Sequence, residues 1–134
     1  MAKGKELSLN GIKRLIALSD AFELMQLGKA SPRPYKTYAA LLTQTGTAAP
    51  VATVMENSIG AIVIARTGVG VYTMTLTGAF TLNKTAVNIQ HMGAGKVTAT
   101  LTSANVITIN TVDATPAAAD AILAGTLVEV RVYN

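Results

Sequence analysis

The stretch Val71–Leu76 reads VYTMTL and the stretch Val97–Thr102 reads VTATLT, so larger apolar residues alternate with threonine in both. Successive side chains of an extended strand point to opposite faces, and the alternation therefore separates the apolar residues from the threonines. One face is suited to burial while the other stays outside, which is typical of antiparallel sheets. Threonine is β-branched and uncharged, so the outer face favours pairing or docking over acid–base chemistry. We interpret the chain as a scaffold or binding module.

Segments of the same character recur from residue 35 onward, and stretches rich in Gly, Asn, Ser and Thr separate them. About eight strands without intervening helices predict an all-β fold, an antiparallel sandwich or jelly roll. The alanine-rich segment 113–124 predicts a loop with a short helical turn before the last strand. The predicted strands are Tyr35–Thr43, Val51–Met55, Ala61–Arg66, Val71–Leu76, Thr85–Gln90, Val97–Thr102, Val106–Val112 and Leu127–Tyr133.

The first 30 residues differ in kind from the rest, because their apolar residues recur at helical spacing. We predict an amphipathic helix here, which Pro32 and Pro34 prevent from continuing. The expected organisation is a basic arm and helix over residues 1–30, a proline linker over 31–34 and a β-sandwich domain over 35–134. The helix either covers its own domain or serves for attachment and oligomerisation, and we favour the second. Its candidate contact residues are Ile12, Leu15, Leu18, Phe22 and Met25.

Charge is scarce in this chain and unevenly placed. Of its 134 residues only 13% are charged, against about 25% in an ordinary globular protein, whereas 50% are hydrophobic. A short chain with so little charge leaves much uncharged surface in water, so we expect it to self-associate. Seven of the eleven Lys and Arg residues lie in the first 36 residues, and the later part is neutral. This segment is either a solubilising tail or a basic arm for a partner, and nucleic acid is not the partner that we expect.

One segment departs from the alternation. Residues 61–65 read AIVIA, so Ile62, Val63 and Ile64 place apolar side chains on both faces of a predicted strand. Either this strand is central and covered on both sides, or its outer face contacts a second subunit. We favour the subunit contact, because the other strands carry threonine on their outer faces.

The residues with chemical potential do not form a motif. The chain has no cysteine and one histidine, His91, so a zinc site would need further acidic ligands near that residue. The glycine-rich loop that follows has Gln90 and Val97 where a phosphate-binding loop needs glycine and a hydroxyl, and we predict a hairpin turn there. The acids of the β region show no pairing pattern. They are Glu56, Asp113, Asp120 and Glu129.

Two further absences bound the function. Ser58, Ser103 and Asp113 do not stand in the sequence context of a nucleophile elbow, so a catalytic triad is not indicated. No apolar run approaches the roughly 20 residues that span a bilayer, and no signal-peptide pattern opens the chain. We therefore expect no enzymatic activity, no cofactor, no metal and no membrane association.

Three stretches carry a resemblance to a known family: YKTYAALLTQTG at 35–46, APVATVMENSIG at 49–60 and GVGVYTMTLTGAF at 68–80. Together they resemble a small β module frequent in virion proteins of tailed phages, especially those of Bacteroidetes hosts. The resemblance covers about residues 35 to 90. It implies a structural, non-enzymatic role in which the module ends a fibre or decorates the particle, often as a trimer. It also implies synthesis in the host cytoplasm and a final place in the virion.

Since the module nearly fills this chain, the resemblance favours a capsid decoration protein or a short head fibre over a long tail fibre. The expected partners are further copies of the chain, as a trimer, and the major capsid protein or another virion protein. The alternatives are a tail-fibre tip or a stand-alone carbohydrate or cell-surface binding module, which would bind host surface glycans on its threonine face. A small hydrolase on a β scaffold is a third class, and it would need a pair of carboxylates in a cleft.

Overall fold

The computed structural model describes residues 33–134, which fold into β-strands without any helix. The all-β class and the number of strands predicted from the alternation are confirmed. The predicted N-terminal helix, with Ile12, Leu15, Leu18, Phe22 and Met25, lies outside the described residues and stays a prediction. The strands are β1 (Tyr35–Thr43), β2 (Val51–Asn57), β3 (Val63–Gly68), β4 (Val71–Thr75), β5 (Thr85–Gln90), β6 (Lys96–Ser103), β7 (Val106–Val112) and β8 (Thr126–Tyr133).

The strands form two antiparallel sheets of four strands each. The first sheet has the order β2-β1-β8-β5 and the second has the order β3-β4-β7-β6. Three hairpins, β1–β2, β3–β4 and β6–β7, lie within single sheets, and the other connections pass from one sheet to the other. The two central strands of the first sheet, β1 and β8, are therefore the first and last strands of the described chain.

The loop after β5 is not the predicted hairpin turn. Gln90, the last residue of β5, pairs with Leu127 of β8, whereas Lys96, the first residue of β6, pairs with Val112 of β7. The loop between them crosses from the first sheet to the second. The prediction was wrong because turn residues indicate a change of direction but do not indicate which strand comes to lie beside the next one.

The predicted helical turn in segment 113–124 is also wrong. The carboxylate oxygen Oδ1 of Asp113 accepts hydrogen bonds from the backbone N–H groups of Thr115, at 2.8 Å, and Ala117, at 3.1 Å. An aspartate that satisfies nearby backbone donors in this way stabilises a turn in place of a helix. Ala118 then returns to form an isolated bridge with Val112. The segment is an irregular connection held by these bonds.

One core lies between the inner faces of the two sheets. In β8 Val128, Val130 and Val132 are buried, whereas Glu129 and Arg131 between them are partly exposed, as the alternation predicts. The fully buried strand residues belong to β1, β4, β7 and β8, which are the central strands, because only central strands have neighbours on both sides. The core residues are Tyr38, Ala40, Leu42, Tyr72, Met74, Phe80, Ile107, Ile109, Leu123, Val128, Val130 and Val132.

The outer face of the second sheet carries the alternating threonines. Thr73 of β4 lies opposite Thr108 of β7, and Thr108 lies opposite Thr100 of β6, so three threonines form a row across the sheet. Thr73 and Thr108 directly follow the buried residues Tyr72 and Ile107. Because successive strand residues point to opposite faces, the threonines of this row point outward. We call this surface the threonine face; its threonines are Thr73, Thr75, Thr98, Thr100, Thr102 and Thr108.

The turn between β3 and β4 depends on glycine at position 70. Gly70 has a φ of +63°, and a Cβ atom added there would lie 2.8 Å from the backbone nitrogen of Ala119 and still closer to the carbonyl oxygen of Thr111. Its carbonyl oxygen accepts a 2.8 Å hydrogen bond from the N–H of Thr111. Any side chain would therefore push the turn away from β7 and from the connection beyond it.

Replacement of Gly70 by alanine tests this close approach. Gly70→Ala should destabilise the domain by about 3 kcal/mol or more, because left-handed strain is added to a steric clash with backbone. Gly46→Ala is the matched control, since Gly46 has a similar φ of +57° but nothing within 4 Å of its added Cβ. The control should cost about 1 kcal/mol. Urea unfolding measures both values, and equal costs would contradict the clash.

Candidate functional site

A cluster of polar side chains lies at the end of the domain where β1 and β3 finish. Arg66 of β3 and Tyr72 of β4 are direct cross-strand neighbours on the inner face of the second sheet. Asp120 reaches them from the irregular connection between β7 and β8, and Gln44 follows β1. We call these four residues the polar latch.

An ion pair forms the centre of the polar latch. The guanidinium of Arg66 donates two hydrogen bonds to the Asp120 carboxylate, from Nε to Oδ1 at 3.0 Å and from Nη2 to Oδ2 at 2.7 Å. The two side chains are only 22% and 15% exposed, so water competes weakly with this pair. A bidentate arginine–carboxylate pair fixes both position and orientation. It thus holds the connection that contains Asp120 against the β3–β4 hairpin.

The remaining groups of the latch are also bonded. The Tyr72 hydroxyl lies 3.0 Å from Asp120 Oδ1 and 3.1 Å from Gln44 Oε1. The backbone N–H of Gly70 donates to Asp120 Oδ1 at 3.0 Å, and that of Ala121 donates to Gln44 Oε1. Within residues 33–134 no buried side-chain nitrogen or oxygen lacks a partner. The latch therefore connects three segments of chain and is satisfied without a ligand.

The electrostatics of the latch oppose proton transfer near neutral pH. Hydrogen bonds from Arg66, then from the Gly70 N–H, hold the pKa of Asp120 well below its ordinary value, so this carboxylate stays ionised. Burial is the main cause that raises the pKa of Tyr72 above its ordinary value, so the hydroxyl stays neutral. A general acid or base works best with a pKa near the working pH. The latch therefore stabilises the fold and is poorly suited to acid–base catalysis.

His91 and Glu129, two other residues that the sequence singled out, both make contacts within the domain. His91 follows β5, and its Nε2 lies 3.0 Å from the carbonyl oxygen of Ala94, while Nδ1 lies 2.9 Å from the Thr126 hydroxyl. Glu129 accepts a hydrogen bond from Arg131. Among residues 33–134, no three His, Asp or Glu side chains gather in a way that could hold a metal ion.

A second cluster lies on the outer face of the first sheet. Tyr35 of β1 pairs with Tyr133 of β8, and their ring centroids are 5.1 Å apart with the planes tilted by 54°. The guanidinium of Arg131 lies 4.9 Å from the centroid of the Tyr35 ring. A shallow depression of about 180 Å³ adjoins them, lined by Ala86, Asn88, Glu129, Arg131 and Tyr133. We call Tyr35, Tyr133, Arg131, Glu129 and Asn88 the tyrosine cluster.

The tyrosine cluster combines an aromatic surface with several hydrogen-bonding groups. Tyr133 is 40% exposed, so part of this residue is accessible to a ligand. Small polar ligands such as sugars bind where an apolar ring face lies beside donors and acceptors. Sequence reasoning assigned these tyrosines to strand structure alone. The two tyrosines come together through the β1–β8 register, which cannot be read from a single sequence.

The structure corrects one alternative for residues 62–64. β3 is an edge strand, so it is not the central strand covered on both sides that one interpretation required. Val63 lies opposite Thr75 on the outer face and is 64% exposed. Ile62 and Ile64 are partly buried and pack against the core, and Ile64 lies opposite the buried Met74. The subunit contact that we expected there stays a prediction.

No protein-family model matches the chain, and no curated protein or solved structure matches it. Within the part of the chain that the structure describes, no helix has the length and apolar character to cross a membrane.

The polar latch predicts a specific dependence of stability on pH. The lowered pKa of Asp120 stabilises the folded chain fully above the ordinary carboxyl pKa of 3.8, and this stabilisation is lost as pH falls through the lowered value. Asp120→Asn should therefore lower the melting temperature at pH 6 by about 5 °C or more, and should lose less than the wild type on going to pH 3. Scanning calorimetry at both pH values measures this difference.

Glu56→Gln is the control for that measurement, because Glu56 is an exposed acid of β2 outside the latch, and the contacts of such an exposed charge contribute little to stability. It should leave the melting temperature at pH 6 within about 2 °C of the wild type. If Asp120→Asn and the wild type lose the same stability between pH 6 and pH 3, the ion pair does not contribute as described.

Proposed function

We propose that this chain is a structural subunit of a phage virion, a β-sandwich that trimerises and decorates the capsid or forms a short head fibre. Its N-terminal segment attaches it to the particle. The resemblance of residues 35–90 to a β module of virion proteins supports the proposal most directly. A role in assembly fits a chain whose buried side-chain polar atoms, within residues 33–134, are all hydrogen-bonded and whose sequence carries little charge.

The threonine face supports a role in contacts between proteins. Its row of Thr100, Thr108 and Thr73 presents methyl and hydroxyl groups without charge. Covering such a surface removes apolar area from water and leaves hydroxyls that can bond to a partner, while ionised side chains would have to lose their hydration. A contact of the standard size, about 800 Å² on each partner, is enough for specific attachment.

The division of the chain into two kinds of sequence supports the attachment role of residues 1–30. Seven of the eleven cationic residues lie before residue 37, next to the predicted stripe of Ile12, Leu15, Leu18, Phe22 and Met25. A basic amphipathic segment favours an acidic or apolar protein surface. Three such segments on one trimer would bind together, and their combined affinity exceeds that of any single segment by orders of magnitude.

A second candidate function is binding of host surface glycans by the same particle subunit. The tyrosine cluster favours it, because Tyr35, Tyr133 and Arg131 stand beside a depression with the polar side chains of Asn88 and Glu129 at its wall. This surface differs from the threonine face that the sequence suggested as the glycan platform. The two surfaces lie on different sheets and can be tested separately.

Replacement of the predicted apolar stripe tests the attachment role. Leu18→Asp combined with Phe22→Asp in the full-length chain should reduce incorporation into particles at least tenfold, because two charges replace the predicted apolar contacts. Ala17→Asp is the control, since helical spacing places residue 17 away from the stripe. Quantitative gel analysis of purified particles measures incorporation. Equal incorporation of all three chains would contradict the attachment role.

Glycan binding is tested with the full-length chain on a panel of bacterial surface polysaccharides. If the tyrosine cluster binds them, Tyr133→Ala should weaken binding at least tenfold, since stacking on an aromatic ring is removed. Thr100→Ala should leave binding unchanged. The reverse result would assign binding to the threonine face, and no saturable binding by the wild type would reject this second candidate.

A further inference from the structure

We propose that one lateral side of the domain, formed by the edge strands β2 and β3 and the turn after β3, packs against a second copy of this chain. The exposed apolar residues of this β2–β3 side are Val51, Val54, Met55, Val63 and Val69. The inference deepens the proposed function and rests on its self-association. It names the surface by which copies meet.

Exposed large hydrophobic residues concentrate on this side. Of the eight within residues 33–134, five belong to the β2–β3 side, with exposed fractions from 49% for Val54 to 69% for Val51. Leu82 and Met92 lie in connections, and Tyr133 belongs to the tyrosine cluster. The opposite edge strands, β5 and β6, expose mainly polar or small side chains, such as Asn88 and Thr98. The two sides of the same sandwich-like domain are thus chemically different.

The core is incompletely covered at the β2–β3 side. On the opposite side β5 and β6 approach each other and close the space between the sheets. Val54 lies opposite the buried Ala40, so its side chain points to the inner face of the first sheet, yet it remains 49% exposed. An inner-face residue with half of its surface in water leaves apolar area for a partner to cover.

The contact between two copies is made by side chains and not by hydrogen-bonded pairing of their edge strands. The register between β1 and β2 shifts between Ala39 and Ala40, which lie opposite Glu56 and Val54, so Met55 is an extra residue that forms a β-bulge. A bulge interrupts the regular spacing of N–H and C=O groups along an edge and hinders pairing with another strand. Met55 itself is 57% exposed. Methionine is a flexible side chain that adapts well to an apolar partner.

The chemistry of the side favours a copy of itself over a foreign protein. Glu56 is the single ionised side chain of β2, and Arg66 of β3 is committed to Asp120, so the side has little charge with which to select a partner of opposite sign. Two copies of an uncharged apolar surface meet without like-charge repulsion. Val51, opposite Thr43, and Val63, opposite Thr75, lie on the outer faces of their sheets, at the two margins of this side. With these margins the five residues expose on the order of 500 Å², against the roughly 800 Å² that each partner contributes to a standard interface.

Substitution of Met55 tests the contact. Met55→Lys places a charge on the bulge outside the core, so the domain should fold normally while the dissociation constant of the full-length oligomer rises about a hundredfold. Met92→Lys is the matched control, because Met92 is 100% exposed in the β5–β6 connection. It should leave the dissociation constant unchanged. Analytical ultracentrifugation over a concentration series measures both variants, and circular dichroism and thermal melting report on the fold.

Two results would overturn the inference in different ways. If Met55→Lys and Met92→Lys assemble as the wild type does, copies meet through another surface while self-association stands. If the wild type is monomeric at all concentrations up to the millimolar range, both the contact and the self-association of the proposed function are wrong.

A second measurement identifies what covers the side, and the lack of cysteine in the chain makes it direct. Met55→Cys should react with a maleimide at least tenfold more slowly than Met92→Cys in the oligomer, and dilution should abolish this protection. Protection that is independent of concentration would assign the cover to residues 1–32 of the same chain and overturn the inference. Equal reactivity of the two cysteines at high concentration would also overturn it.

Discussion

The structure depends on the burial of two inner sheet faces against each other, which only the central strands achieve completely. β1, β8, β4 and β7 contribute ten of the twelve buried core residues, and each of these strands has a hydrogen-bonded neighbour on both sides. The edge strands contribute residues that are only partly covered. This gradient from centre to edge explains both the complete burial of the inner faces of the central strands and the apolar residues left exposed at one side of the domain.

The polar residues follow the same division between inside and outside. In the polar latch the side chains of Arg66, Asp120, Tyr72 and Gln44 hydrogen-bond to one another, and these bonds hold the surrounding loops in place. What remains outside is a face of threonines, a tyrosine pair and an apolar side. Arg66 pairs with Asp120 and Arg131 pairs with Glu129, so these ionised groups bond within the chain. The threonine face, the tyrosine pair and the apolar side are surfaces suited to proteins and sugars, which is the basis of the functions proposed for the chain.

Alternation in the sequence predicted the strands well but not their neighbours. Each of the eight observed strands overlaps a predicted one, although β3, predicted from an apolar run without alternation, begins two residues later than expected. Val128, Val130 and Val132 are buried as expected. The pattern assigns a face to each residue, whereas the partner strand depends on which sheets can cover each other. For this reason the β5–β6 connection was mistaken for a hairpin. The helical turn was predicted in segment 113–124 because alanine favours helices, and the bonds to Asp113 Oδ1 override that preference.

The candidate sites were less accessible to sequence reasoning, since they join residues far apart in the chain. Arg66 and Asp120 are 54 positions apart, and Tyr35 meets Tyr133 only through the β1–β8 register. Val63 was singled out by its apolar neighbours, but Val54 and Met55 were not, because their exposure follows from an edge position and a bulge. Neither feature leaves a mark on composition or periodicity.

The pairing of the first strand with the last has a consequence for biosynthesis. β1 leaves the ribosome early, yet its central position in the first sheet requires β8, which is synthesised about ninety residues later. Until then one edge of β1 and the inner faces of both sheets lack their cover, and closing so large a loop is slow. The domain therefore completes its fold only after translation of its final strand, and truncated products would carry open sheet edges that are prone to aggregation.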